Sequence, residues 1–449
     1  MPTASRDDDD RTTDPRIVLR PQYTVAVLAT LTNFSTGAYI AWTAVGPPIP
    51  NQNGGQASEQ AVSWICSSVA LGAVAGSLPA GTIADRIGRK RSILISSLLL
   101  SLCWIFLARL VAGVGCGASS ILVPLYLSEI MEDTVKECLG TIYQFQIALG
   151  ILFTYVIGFS NNWTAIALLC ALAPAVLSIA TQSIPESPMW LIRQRRQTVA
   201  EGIVSHSRGK CLTFELKKHR KASIIAFGTM VFQQLSGMNT LVSYATWIFQ
   251  HIRIPLSSTT CSVITGSMYL IATMFSKHLI DRIGRKLLLF LSLSIMSVSM
   301  FVLSGYFRLQ KEQDVSRFTW LPFLSLVAFV VAFGVGCGPI PWILIDRIFP
   351  DDVKTTAIAA CTVCNWTLAF VAMKYFQDMV SFMGISSTFA AYGMVSLLGT
   401  AFVAIFVPET EGKSDWLLYL EARRIHHIMD ECSKTQVFRL KTVSLNSNV

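Results

Sequence analysis

The sequence predicts an all-α membrane protein of twelve transmembrane helices arranged in two six-helix halves. Three observations point there: the scarcity of charge, the number of long apolar runs, and a set of motifs that recurs in register. Of the 449 residues, 52% are hydrophobic and 14% charged, against roughly 25% charged in a soluble globular protein. Charge is missing because lipid is the main solvent. The net charge of +9 does not indicate a nucleic-acid partner, because the basic residues sit in short segments between apolar runs, which is the membrane pattern.

A bilayer-spanning helix needs about 20 mostly apolar residues. Twelve runs qualify: 23–46, 61–83, 92–107, 109–128, 139–160, 163–183, 223–248, 258–280, 287–307, 319–345, 355–378 and 384–407. Each is expected to be helical, since an open strand leaves backbone groups unpaired in lipid. Residues 1–20, with Asp7 to Asp10, read as a polar tail, and the first apolar run is expected to act as its own insertion signal. With the N-terminus cytoplasmic, the inner segments hold 29 of the 36 Lys and Arg residues. Both termini are therefore expected to face the cytoplasm. The stretch 92–128 is broken only by Arg109. As one helix it is ~54 Å long against a ~30 Å core. A single span also inverts every later segment, so two helices are expected, with a short third helix and a cramped turn.

Asp85-Arg86-Ile87-Gly88-Arg89-Lys90 after the second run recurs as Asp281-Arg282-Ile283-Gly284-Arg285-Lys286 after the eighth. Pro185-Glu186-Ser187 after the sixth pairs with Pro408-Glu409-Thr410 after the twelfth. Ser128-Glu129-Ile130 ends the fourth, and Asp346-Arg347-Ile348 ends the tenth. Three paired signals at one phase imply a parallel repeat. The chain then divides into a cytoplasmic tail (1–22), a six-helix bundle (23–188), a basic cytoplasmic linker (189–222), a second bundle (223–407) and a second cytoplasmic tail (408–449). Gly88 permits a sharp turn. Asp85, Arg86 and Arg89 can then meet Glu129 and Lys136 at neighbouring helix ends, with Asp281, Arg282 and Arg285 as their counterparts. Such a charge cluster is expected to gate the cytoplasmic side; the alternative is charge that only sets topology.

The chain resembles the sugar porter family of the major facilitator superfamily. The resemblance rests on Gly81-Thr82-Ile83-Ala84-Asp85-Arg86-Ile87-Gly88-Arg89-Lys90, Pro124-Leu125-Tyr126-Leu127-Ser128-Glu129 and Pro185-Glu186-Ser187-Pro188 in the first half. It continues through Gln233-Gln234-Leu235-Ser236-Gly237-Met238-Asn239, Gly338-Pro339-Ile340-Pro341-Trp342, Asn365-Trp366-Thr367 and Pro408-Glu409-Thr410-Glu411-Gly412-Lys413-Ser414. Within the family it is most similar to insect facilitated trehalose and hexose transporters. The resemblance implies the major facilitator fold and a sugar site made of Gln144, Gln233, Gln234, Asn239, Trp342 and Asn365, with Ile151, Phe333 and Trp366 as wall positions. The chemistry agrees: a carboxamide offers donors and an acceptor to a hydroxyl that is also both. The alternative for a single intramembrane amide is a helix–helix hydrogen bond.

Geometry adds a condition. At ~100° per residue Gln234 and Asn239 do not share a face of an ideal helix. They converge only if the helix opens at Ser236-Gly237. The tenth span, with Gly334, Gly336, Gly338, Pro339 and Pro341, is also expected to be broken. The chain departs from the family pattern at Tyr269, where an Asn is usual, and at Arg347, where a Glu is usual. Lys136-Glu137 stands in place of Arg-Gly, and the linker and the turn near 105–110 are short.

The resemblance implies facilitated diffusion of a hexose or trehalose across the plasma membrane by alternating access. The partners expected are a small neutral sugar and the lipid bilayer. Proton–sugar symport is the runner-up. It needs an intramembrane carboxylate, whereas spans one to three hold no Asp or Glu, and Ser35 occupies the position matched to the symporters' acid. A nontransporting sugar sensor or a transport-defective splice product are further alternatives. No nucleotide loop, metal cluster or catalytic triad is apparent, so no cofactor, metal or enzymatic activity is expected. Cys361 and Cys364 form a C-x-x-C inside an apolar run and read as small buried residues.

Overall fold

The computed structural model describes residues 15–45, 58–101, 107–131, 139–160, 163–182, 184–191, 194, 220–252, 254–312, 318–349 and 351–408. Among them helix is the only regular secondary structure. The first half contains α1 (Pro15–Val45), α2 (Glu59–Ile87), α3 (Arg89–Leu100), α4 (Leu107–Ile130), α5 (Leu139–Ile157) and α6 (Trp163–Thr181). The second begins with a broken helix, α7 (Arg220–Leu235), α8 (Met238–Ser243) and α9 (Ala245–Gln250), followed by α10 (Ser258–Ile283) and α11 (Arg285–Glu312). Next come α12 (Trp320–Ala332), a π-helical segment (Phe333–Cys337), α13 (Ile340–Ile348) and α14 (Asp351–Phe406).

Eight stretches of these helices are long and apolar enough to cross a bilayer on their own. The stretch Val353–Phe406 is 54 residues long, and Gly384 breaks α14 with φ of 83°, so it holds two spans. The 12 residues of α3 reach only ~18 Å. The split of 92–128 into two helices holds, with α3 ending at Leu100 and α4 starting at Leu107. One difference lies at the start. Here α1 opens at Pro15, inside the stretch 1–22 expected to be tail. Proline suits the first helical position, because the N–H it lacks has no intrahelical partner there.

The repeat extends to the helix caps. Ser58 accepts from the Ala61 amide at 3.3 Å to start α2, and Ser257 accepts from Thr260 at 3.1 Å to start α10. Gly88 (φ 100°) and Gly284 (φ 88°) end the same two helices in matching conformations.

Without a hydrophobic force between helices in lipid, close backbone contact must supply the packing. Gly72-xxx-Gly76 on α2 faces Gly113-xxx-Gly117 on α4. A methyl group on Gly76 would strike the Val114 carbonyl, and one on Gly117 the Ala73 carbonyl. Many buried serines and threonines bond back to carbonyls of their own helix, as Thr36 does to Thr32 and Thr362 to Ile358. Apolar side chains such as Leu98, Val298 and Ile405 point outward, as a lipid-facing surface requires.

Gly76→Ala is expected to lower the thermal unfolding midpoint in detergent, because overpacking costs about 1–3 kcal/mol. Gly305, whose Cβ would meet nothing within 4 Å, provides the control: Gly305→Ala should leave the midpoint unchanged or raise it.

Candidate functional site

The break in the seventh span organises the site. Gly237 adopts a left-handed conformation (φ 91°), and its amide closes a turn on the Gln234 carbonyl at 3.2 Å. This rotates α8 relative to α7 and brings Asn239 back over Gln234, with Nδ2 donating to Oε1 at 2.7 Å. The Gln234 Nε2 donates to Asn365 Oδ1 at 2.9 Å, and Asn365 Nδ2 donates to Gln233 Oε1 at 3.0 Å. The Gln233 Nε2 then donates to the carbonyls of Cys337 and Gly338 at 2.8 and 2.9 Å. Those acceptors lie where the π-helical segment gives way to the Gly338-Pro339 turn. The two broken helices and α14 are thus joined by one chain of amides.

This network forms one wall of a cavity of about 510 Å³ between the two halves. The cavity is lined by all nine residues singled out in the sequence: Gln144, Ile151, Gln233, Gln234, Asn239, Phe333, Trp342, Asn365 and Trp366. Gln144 reaches across from α5, its Nε2 donating to the Tyr269 hydroxyl of α10. Ser120 accepts hydrogen bonds from Trp366 Nε1 at 3.3 Å and from Tyr143 OH at 3.2 Å. The Tyr143 and Trp342 rings lie 5.6 Å apart. Thr36, Ile40, Tyr143 and Met238 also line the cavity and were not singled out in the sequence. Thr36 is a polar residue within an apolar run, and Tyr143 adjoins Gln144; those were the available signals.

The two ends of the cavity differ. Toward the end bearing the basic motifs, Tyr143 and Trp342 also line a second cavity of about 680 Å³, with Asp346 and Arg347 in its wall. At the opposite end the halves are tied together. Thr43 donates to the Ser243 carbonyl and Ser243 to the Ile40 carbonyl, both at 3.1 Å. Lys374 donates to Ser63 at 3.0 Å and lies 4.9 Å from the centroid of the Trp64 ring.

The charged motifs behave differently in the two halves. Arg89, 1% exposed, pairs with Glu129 at 2.8 Å and Asp85 at 3.0 Å. Glu186 accepts from the backbone amides of Arg89 and Lys90 at 2.9 and 3.0 Å, capping α3 where its dipole favours an anion. Ser187 donates to Glu129 at 2.5 Å. These residues join α2, α3, α4 and the segment after α6, all within one half. The described part of the cluster therefore braces that half and does not bridge the two halves. Arg86 is exposed and Lys136 lies outside the described residues. In the second half Asp281 pairs with Lys277 of its own helix at 3.6 Å, Arg282 is exposed and Arg285 is buried. Asp346 pairs with Lys354 at 3.4 Å.

A family model described as "Sugar (and other) transporter" matches residues 23–415. The chain belongs to the sugar transporter family. Among similar members, the facilitated trehalose transporter Tret1 of Polypedilum vanderplanki is 32% identical over 80% of this chain and 78% of its own length. Tret1 of Drosophila pseudoobscura pseudoobscura is also 32% identical, over 90% of this chain and 51% of its own length. The chain thus spans about half the length of several curated relatives. Among solved structures, the xylose transporter XylE from E. coli in a partially occluded inward-open conformation superposes with a TM-score of 0.69 at 23% identity, covering 87% of this chain and 99% of that one. The same transporter, a major facilitator superfamily proton:xylose symporter, bound to 6-bromo-6-deoxy-D-glucose gives 0.70 at 22%, covering 87% of this chain and 97% of that one. This sugar transporter family member has the major facilitator fold.

The two copies of the charged motif should differ in energetic weight. Glu129→Ala leaves a buried guanidinium without its main partner, at a cost of about 3–5 kcal/mol, and should lower the thermal unfolding midpoint sharply. Asp281→Ala alters an ion pair whose carboxylate side chain is 53% exposed and should leave the midpoint nearly unchanged.

Proposed function

We propose that the chain is a facilitative sugar transporter, a uniporter working by alternating access on a hexose or trehalose. The observation that carries this reading is the amide-lined cavity between the two halves, whose lining contains no Asp or Glu among the described residues. Gln233, Gln234, Asn239, Asn365 and Gln144 offer donors and acceptors to sugar hydroxyls. Trp342, Trp366 and Phe333 offer apolar faces to the sugar's C–H surfaces, with Ile151 completing the wall. Relatives named as facilitated trehalose transporters favour the same reading.

Proton coupling needs a carboxylate within the membrane. Arg109 is buried at the start of α4, where it donates to the Tyr39 carbonyl at 3.2 Å and lies 5.0 Å from the Trp42 ring centroid. Among the described residues no acid is paired with it. Asp346, in the wall of the second cavity, is paired with Lys354. This arrangement of charge supports uniport.

The end bearing the basic motifs is assigned to the cytoplasm, together with both termini, because 29 of 36 basic residues fall on that side. The boundaries of tails, bundles and linker follow the same assignment, with α1 reaching back to Pro15. The protein is placed in the plasma membrane. The cavity then leads inward while the Thr43–Ser243 and Lys374–Ser63 contacts close the outer side, an inward-facing state. Asp85, Arg89 and Glu129 keep the first half rigid as it rocks against the second.

Sugar uptake into transporter-null cells tests this. Asn365→Ala and Gln234→Ala each leave buried amide atoms unpaired, worth about 1–3 kcal/mol, and should reduce uptake at unchanged surface expression. Normal uptake in both variants removes them from the site. A second prediction concerns coupling. Uptake should be insensitive to external pH and to protonophores, and should stop at equal concentrations. Accumulation that collapses with an uncoupler overturns uniport.

A further inference from the structure

Tyr269 stands where two cavities meet. On one side is the amide-lined cavity. On the other is a cavity of about 390 Å³ with a predominantly apolar lining that includes Leu241, Phe249, Leu326 and Val330. Ile151, Met238, Val242 and Tyr269 line both. Of these four only Tyr269 carries a hydroxyl.

The ring is held on several sides. It is 1% exposed, and its centroid lies 6.2 Å from that of Phe333. A Cβ on Gly334 would come within 2.9 Å of it, so glycine at that position makes room for the ring. The hydroxyl accepts from Gln144 of the opposite half. A phenol that accepts one hydrogen bond still has its own O–H to donate. Tyr269 can therefore meet a sugar oxygen at the boundary of the polar cavity while its ring separates that cavity from the apolar one.

We propose that Tyr269 is a specificity-determining wall that ends the site after one sugar ring, so that the substrate is a monosaccharide and a ring with a bulky substituent at that end is refused. The proposal rests on the sugar-transport reading and narrows it. A second sugar ring is opposed twice. The Tyr269 ring blocks its path, and the cavity beyond gives its hydroxyls few partners for the water they lose. An apolar aglycone is opposed only by the ring. Removing the ring should therefore admit an aryl glycoside and still exclude a disaccharide.

The test uses the full chain in lipid nanodiscs, with labelled glucose displaced by unlabelled glucose, phenyl β-glucoside or trehalose. In the wild type, phenyl glucoside and trehalose should each compete at least about tenfold more weakly than glucose. In Tyr269→Ala, phenyl glucoside should gain at least about tenfold relative to glucose, while trehalose stays weak. Tyr269→Phe should keep the wild-type order of preference and bind glucose less tightly, through loss of the hydroxyl. An unchanged phenyl glucoside to glucose ratio in the alanine variant overturns the proposal, as does wild-type binding of trehalose as tight as that of glucose. If the alanine variant does not fold, Tyr269→Phe decides: unchanged glucose affinity overturns the role of the hydroxyl. A wild-type protein that binds neither labelled glucose nor labelled trehalose overturns the sugar reading itself, and the proposal with it. The other three failures leave that reading standing.

Discussion

An amide buried away from water must find a partner or lose the hydrogen bonds that water gave it. The run from Asn239 through Gln234 and Asn365 to Gln233 and the Cys337 and Gly338 carbonyls answers that constraint, and much of the second half is shaped around it. Gln234 and Asn239 meet only because Gly237 breaks the seventh span. Gln233 finds acceptors where the tenth span leaves regular helix. Asn365 ties α14 to the seventh span, and Gln233 carries the link on to the tenth. A substrate rich in hydroxyls can take over such bonds one for one as it enters, so the same network that stabilises the empty cavity suits a sugar.

The difference between the two ends of the cavity extends this logic to movement. Among the described residues, the contacts that tie the halves at the end opposite the basic motifs are separable: the hydroxyl–carbonyl bonds of Thr43, Ser243 and Tyr155, and the Lys374 ammonium held by Ser63 and Trp64. At the end bearing the basic motifs the strong charge cluster lies inside one half. Buried ion pairs strengthen a bundle where all partners move together. Weak contacts between bundles can break and re-form at little cost. Rigid halves with weakly joined ends are what rocking about a fixed site requires.

Much of this was legible in the sequence. The period and number of apolar runs gave the spans, and the repeated motifs marked the halves. The helical angle between Gln234 and Asn239 required the break at Gly237. The remaining wall residues were harder to read, because Thr36, Ile40 and Met238 line the cavity through the way the two halves meet, and no local pattern encodes that meeting. The role of Glu186 was hidden for a similar reason. It was legible as a repeat marker, yet its carboxylate caps a helix that begins almost a hundred positions earlier in the chain. The two charged motifs are identical as text, but the position of Glu129 in the first half is held by Arg347 in the second, and the adjoining Asp346 pairs with Lys354. Tyr269 was visible as a departure from the family; its place between two cavities depended on Gly334 and Phe333, far along the chain.

The central claim is that a sugar occupies the amide-lined cavity. Trp342 and Trp366 lie in its wall, so intrinsic fluorescence of the purified protein in nanodiscs reports on it directly. Titration with glucose should give a saturable change that disappears when both are replaced (Trp342→Phe with Trp366→Phe). A titration without saturation, or a saturable signal that survives both replacements, would contradict the account.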